Sequence, residues 1–227
     1  MSWRKALEED GFAVLPRLFS AGWADCLLDE IDRLSPVRTR AGIRHALRLG
    51  PVATLARHPV LKELSCTVLG THAFPFRATL FDKSPGANWL VVWHQDTALP
   101  LRERFELPGW GPWSIKEGID YAHAPASALS QVLALRVQLD DSVGENGPLR
   151  VLPRTHTLGV LGDDDIHHLT QQIAPVDCLA PKGGVVGMRP LLVHASSKSH
   201  SDMPRRVLHI EYACSDAIAS PLKLTTA

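Results

Sequence analysis

His94-Gln95-Asp96 sets an imidazole and a carboxylate two residues apart. The residues before it, ANWLVVW, have the composition of a strand, and residues i and i+2 of a strand share a face. Both groups can then point into one cavity. Two imidazoles and a carboxylate on one face of a metal leave three positions open, the donor set of non-haem Fe(II) oxygenases. With eleven histidines in the chain, one H-x-D is easily accidental, so a second histidine must come from a distant strand. His194, in the apolar run LLVHAS, is the best candidate, because a ring placed there needs a polar partner or a ligand. The competing reading is a core histidine bonded to backbone. Arg205, eleven residues further on, opens another strand, RRVLHIEYA. A guanidinium so placed can hold a carboxylate bidentately, as an Fe(II) enzyme using 2-oxoglutarate requires for the distal carboxylate. Arg206 faces the other way on a strand and reads as a solvated arginine.

The elements that must position these groups fall into two halves. The first 70 residues are mostly helical. Ser20 caps AGWADCLLDEIDRL, which carries Trp23, Leu27, Leu28, Ile31 and Leu34 on one stripe. A second helix is predicted from about Pro59 to Leu69, and GFAVLP before the first is a short strand. From residue 72 the pattern turns to short strands: FRATLFDK, ANWLVVWHQD, VLALRVQLDD, PLRVLP, VDCLAP, GGVVGM, LLVHAS and RVLHIEYA. A turn at Ser84-Pro85-Gly86 separates the first two. Residues 99–128 read as irregular, and residues 155–174 as polar with a short helix near Asp163–Leu169. Connections this long are usually functional. Helices that precede strands argue against a doubly wound α/β fold. The expectation is one mainly β domain over 1–227. It would have a helical part at 1–70 and a jelly-roll core at 71–215.

Composition removes other classes. Lys+Arg and Asp+Glu are both 24, so no net charge points to nucleic acid or an acidic membrane. Hydrophobic residues make up 45%, which argues against disorder. No apolar run reaches the length of a membrane span, and the first residues have no secretory pattern. Cys26, Cys66, Cys178 and Cys214 form no C-x-x-C pair. A cytoplasmic protein with reduced thiols is expected.

The chain resembles the phytanoyl-CoA dioxygenase family of Fe(II)/2-oxoglutarate oxygenases. The likeness lies in WHQD at 93–96, LDDSVGENGPLRVLPRTH at 139–156, GGVVGMRPLLVHAS at 183–196 and RR at 205–206, with DGFAVLPRLFS at 10–20 as the opening. The resemblance implies a double-stranded β-helix with N-terminal helices. It implies Fe(II) held by His94, Asp96 and His194, with 2-oxoglutarate and O2 as co-substrates and a small molecule as substrate. By the same likeness Arg205 pairs with the distal carboxylate, Ser196 assists it, and Lys83 lies near the cofactor. Arg136 departs from the pattern, since several members carry tryptophan there. It would meet a 2-oxoglutarate carboxylate or a substrate anion, or be a plain strand-face arginine that shares its face with Gln138. Halogenating relatives lack the carboxylate that Asp96 supplies, so hydroxylation is implied.

Other residues have blander readings. His156 reads as structural, and His167 and His168 as solvated. His123 and His200 are candidates for the cavity mouth. His209 and Glu211 share strand parity with Arg205. Trp110, Trp113 and Lys116 are candidates for a substrate lid, with loop packing as the alternative, and Arg150 is a weaker candidate for a substrate anion. The Asp140-Asp141 and Glu145-Asn146-Gly147 runs read as strand-end and turn chemistry, and Asp163-Asp164-Asp165 as a helix N-terminal cluster. Two rival functions stand beside the enzyme: a non-catalytic jelly-roll binding or sensing protein, and a cupin-like metalloenzyme that does not use 2-oxoglutarate.

Overall fold

Helix α1 (Trp3–Asp10) ends at Gly11, whose φ of 84° turns the chain into strand β1 (Phe12–Leu15). These and all later elements come from a computed structural model that describes residues 2–39, 42–84 and 87–227. Helix α2 (Ala21–Arg33) starts where Ser20 Oγ accepts the amide proton of Trp23, a cap worth about 1 kcal/mol. Its buried stripe is Ala24, Leu27, Leu28 and Ile31, while Leu34, just past the helix end, stands exposed. Strand β2 (Gly42–Ile43) and helices α3 (Gly50–Ala56) and α4 (Pro59–Leu69) complete the N-terminal part. The sequence pattern predicts β1, α2 and α4 individually, while α1, β2 and α3 are not singled out by it.

Among the described residues, eleven strands follow with two short helices. They are β3 (Phe74–Lys83), β4 (Val91–His94), β5 (Ala98–Leu101), β6 (Trp113–Lys116), β7 (Ile119–His123), helix α5 (Ala126–Leu129) and β8 (Val132–Gln138). After them come β9 (Leu149–Val151), helix α6 (Asp163–Gln172), β10 (Val176–Cys178), β11 (Val185–Met188), β12 (His194–Ser196) and β13 (Arg205–Ala213). The strands pair antiparallel in three sheets, ordered β1-β11-β8-β13-β3-β2, β10-β9-β12-β4 and β5-β7-β6. This is the mainly β jelly-roll expected from the sequence. Ser84 and Ala87 bridge across the expected turn, while Pro85 and Gly86 lie outside the described residues.

Alternation decides what each face of the large sheet does. On β3, β8 and β13, one parity (Ala78 and Leu80; Leu133, Leu135 and Val137; Leu208, Ile210 and Tyr212) packs into the cluster formed with α1 to α4. The opposite parity turns toward the four-stranded sheet and is unusually polar. The helices therefore cover one face of the sheet and leave the other as a cavity wall.

The segment 99–128 is only partly irregular: residues 102–112 have no regular element, while most of the rest is strand or helix. Residues of β5, β7 and β6 form the third sheet, and Trp110 and Trp113 pack against its apolar cluster with Leu99, Leu101 and Ala122. Both tryptophans thus pack onto this sheet, as the loop-packing alternative has it. No helix among the described residues is long and apolar enough to cross a membrane.

Candidate active site

A cavity of about 260 Å³ opens between the large sheet and the four-stranded sheet. His94 and His194 are direct cross-strand partners in the β12–β4 ladder, and their ring centroids lie 4.2 Å apart. Asp96 follows just past the end of β4, where its own amide bonds to the Pro190 carbonyl at 2.9 Å. His194 Nε2 stands 3.5 Å from one carboxylate oxygen of Asp96, and His94 Nε2 stands 3.7 Å from the other. One ligand atom from each of the three lies within 4.8 Å of the others.

The backbone fixes both tautomers. Nδ1 of His94 donates to the Val92 carbonyl at 2.8 Å, and Nδ1 of His194 to the Leu192 carbonyl at 2.9 Å. Each Nε2 lone pair is thus left facing the carboxylate, as a metal requires. Burial pushes His194 down to about 4, so its ring is neutral at pH 7. Burial also opposes ionisation of Asp96, but His194, His94 and His209 outweigh it and hold the carboxyl well below the usual range. Neutral imidazoles and an ionised carboxylate are the forms that bind a cation. The donor set fits a divalent iron.

Beside the triad lies a cationic recess. Lys83 and Arg205 are direct partners in the β13–β3 ladder, an arrangement of like charges that is destabilising unless an anion joins them. Both side chains are buried, as is Arg136. Among the described residues none of the three forms an ion pair with an acid. Ser196 Oγ takes hydrogen bonds from Lys83 Nζ at 2.9 Å and Arg205 Nη2 at 3.1 Å, and gives its own to the Gly147 carbonyl at 2.8 Å. The Asn146 carbonyl accepts from Arg205 Nε at 3.3 Å. The 144–147 turn therefore shapes the recess. Gly147 has φ of 69°, and a Cβ there would meet the Ser197 carbonyl at 2.4 Å. Burial, then the charges of Arg205 and Arg136, push Lys83 down to about 8. The arginines stay charged. Uncompensated buried cations of this kind fit a small dianion such as 2-oxoglutarate.

The structure brings together His94, Asp96, His194, Ser196, Lys83, Arg136 and Arg205, with His209 and Glu211 on the same wall. Lys116 also lines the cavity. Elsewhere, Arg206 is not free in solvent, since Asp140 clamps it through both oxygens at 2.7 and 2.8 Å. Arg150 pairs with Asp177 and lies over Trp93, outside the cavity. His123 and His200 do not line the cavity. His156 is structural, set against Gly11 with Nε2 3.2 Å from the Glu8 carbonyl, and His167 and His168 are exposed on α6.

Arg77, Arg44 and Tyr121 were missed. Arg77 shares the parity of Thr79, Phe81 and Lys83 along β3, a signal present in FRATLFDK. Its partner Glu211 sits directly opposite on β13 and binds it through both oxygens, one contact being 2.6 Å. That pairing spans 134 residues, and nothing local announces it.

A family model described as Phytanoyl-CoA dioxygenase matches residues 7–207. L-proline trans-4-hydroxylase of Streptomyces griseoviridis is 27% identical over 188 residues, with 70% of this chain aligned; the chain spans 62% of that protein's length. Ectoine dioxygenase of Bordetella bronchiseptica is 23% identical, covering 96% of this chain and 77% of that protein. Among solved structures, the non-heme alpha-ketoglutarate-dependent carbocyclase SnoK from nogalamycin biosynthesis superposes with a TM-score of 0.71 at 16% identity, covering 99% of this chain and 86% of the other. EctD from S. alaskensis with 2-oxoglutarate and 5-hydroxyectoine gives 0.69 at 19% identity, covering 92% and 74%. These likenesses show the fold.

Proposed function

Since the chain belongs to the phytanoyl-CoA dioxygenase family, we propose that it is an Fe(II)- and 2-oxoglutarate-dependent oxygenase that hydroxylates a small molecule. The observation that carries this reading is a His-Asp-His triad beside three buried cations, Lys83, Arg136 and Arg205, that no acid among the described residues pairs with. His94 Nε2, the Asp96 carboxylate and His194 Nε2 would hold the iron. Arg205, Ser196 and Lys83 would hold the distal carboxylate of 2-oxoglutarate, and Arg136 would add charge against the same dianion. Iron, 2-oxoglutarate and O2 together supply the oxidising power for C–H hydroxylation.

The chain's share is position and shelter. The Val92 and Leu192 carbonyls hold both imidazoles in the binding tautomer. Burial of Lys83, Arg136 and Arg205 keeps water from the recess. Asp96 fills the carboxylate position, which leaves no place for a halide and favours hydroxylation. A cavity of about 260 Å³ suits a small substrate. All four cysteines are free thiols, which supports a cytoplasmic setting. We extend the proposal to the organisation of the chain: one domain over 1–227, with the helices of 1–70 as buttress to the catalytic core.

The test is anaerobic. Protein loaded with Fe(II) is titrated with 2-oxoglutarate and followed by the visible charge-transfer band of bidentate chelation. Wild type should develop the band, Arg205→Ala should need far more 2-oxoglutarate, and Asp96→Ala should bind iron poorly. Absence of the band with iron bound would overturn the proposal and favour the binding-protein or cupin-like alternatives.

A further inference from the structure

The end of the cavity away from Arg205 carries its own cations. Arg44 is paired with Glu117 at 3.2 Å, and Arg77 is clamped by Glu211. Lys116 has no such partner: among the described residues no acid pairs with it. Its ammonium lies over the Tyr121 ring, 4.7 Å from the centroid. That ring is a fixed platform, buried and tied to His45 Nε2 through its hydroxyl at 3.0 Å. Lys116 is fixed from behind as well. It flanks a two-residue hairpin turn in which Glu117 and Gly118 have φ of 51° and 79°, the geometry of a tight type I′ turn. Glu117 at the tip pins this hairpin to Arg44. A half-buried lysine held by a rigid turn and an aromatic face is unlike a solvated surface lysine.

Charge in the cavity points the same way. Among the described residues, five cations line it (Arg44, Arg77, Lys116, Arg136 and Arg205) against Asp96 and Glu211. Glu211 is engaged by Arg77, and Asp96 faces the histidines. A 2-oxoglutarate dianion would answer Arg205 and Arg136, and Lys116 would still lack a counter-charge. Burial, and after it the charges of Arg77 and Arg44, lower the Lys116 pKa against the opposing pull of Asp96 and Glu211.

We propose that Lys116 is the anchor for a carboxylate on the substrate, so that the enzyme acts on small organic acids or amino acids held between Lys116 and the His-Asp-His triad. This rests on the oxygenase reading above and adds the substrate class to it. The Tyr121 face and Arg77 would border the carboxylate, and the substrate's carbon skeleton would extend toward His94 and Asp96.

The experiment is calorimetry on protein loaded with Fe(II) and 2-oxoglutarate under argon. The probes are short straight-chain and aromatic monocarboxylates, each beside its neutral primary amide, and the protein L-amino acids, each beside its α-carboxamide. Acids should bind better than their amides by at least about tenfold. Lys116→Met should erase that preference, Lys116→Arg should keep part of it, and 2-oxoglutarate binding should be unchanged in both. The proposal is overturned if the tightest ligands are amides, if the preference survives in Lys116→Met, or if no acid of the panel binds. Failure of wild type to bind 2-oxoglutarate would overturn the oxygenase reading and this proposal with it. Failure of the acid-over-amide comparison with 2-oxoglutarate bound overturns the substrate class alone.

Discussion

Arg136 donates from Nη1 to Nδ1 of His209 at 2.9 Å, and the two residues face each other in the β13–β8 ladder. A guanidinium can only donate, so Nδ1 of His209 must accept. Burial, then the charge of Arg136, keep this imidazole neutral. Its proton is therefore on Nε2, which looks toward Asp96 and Glu211 at 3.9 Å each. Arg136 thus sets the tautomer of a ring beside the candidate metal site.

Removal of that donor should be visible. In Arg136→Met, nitrogen-correlated NMR should show His209 populating both neutral tautomers, and iron affinity should fall about tenfold. Arg136→Gln, which can still donate, should retain the single tautomer. An unchanged His209 spectrum in Arg136→Met would remove the role.

On the proposed role of Lys83, 2-oxoglutarate binding should depend on pH. Its folded value of about 8 lies below the 10.5 of an unfolded lysine, so the folded chain without ligand binds fewer protons between those limits. Folding stability then gains as pH rises through that window. A bound dianion restores the proton, so binding takes up protons there. The affinity for 2-oxoglutarate should accordingly weaken as pH rises above about 8, and Lys83→Met should flatten the profile. Dissociation constants measured across that range check the sign.

The Arg77–Glu211 pair is buried and cross-strand, so breaking half of it should be worse than replacing all of it. Arg77→Met alone should cost about 3–5 kcal/mol, because an unpaired carboxylate is left inside. Arg77→Met with Glu211→Leu should recover much of that loss. Urea unfolding of the two variants decides it, and equal losses would contradict the argument.

Gly147→Ala should destabilise the chain by about 2 kcal/mol or more, since its left-handed φ and the Ser197 carbonyl both resist a side chain. Ser196 would lose its acceptor geometry, and 2-oxoglutarate should bind less tightly. A Gly147→Ala protein with wild-type stability and affinity would show that the turn relaxes freely.

The part of the site governed by strand period was legible. The parity of Arg205, His209 and Glu211 follows from alternation within one strand, whereas Asp96 lies past the end of β4 and the apolar run 191–193 lies before β12 begins. What depended on distant ladders was not. Glu211 finds Arg77 through the β13–β3 register, and Lys116 reaches the cavity because the aromatic, Pro-rich 99–128 run folds as a sheet. The strand expected over 87–96 shrinks to 91–94 because Asp96 bonds to Pro190 instead of continuing a ladder. Helices α1 and α3 are short, and their place is set by packing on the large sheet more than by local pattern.

The two histidines of the triad are held with different firmness. His194 sits inside its sheet, between β9 and β4, whereas His94 rides on the outermost ribbon, beside a Val92 that is 67% exposed. Fraying of β4 would release one ligand while His194, and Asp96 tied to Pro190, kept their places. The metal would then leave by a local detachment of four residues, without melting of the core. Amide exchange along Val91–His94 would keep time with that loss, and the rim of the smaller sheet would set the lifetime of the loaded protein.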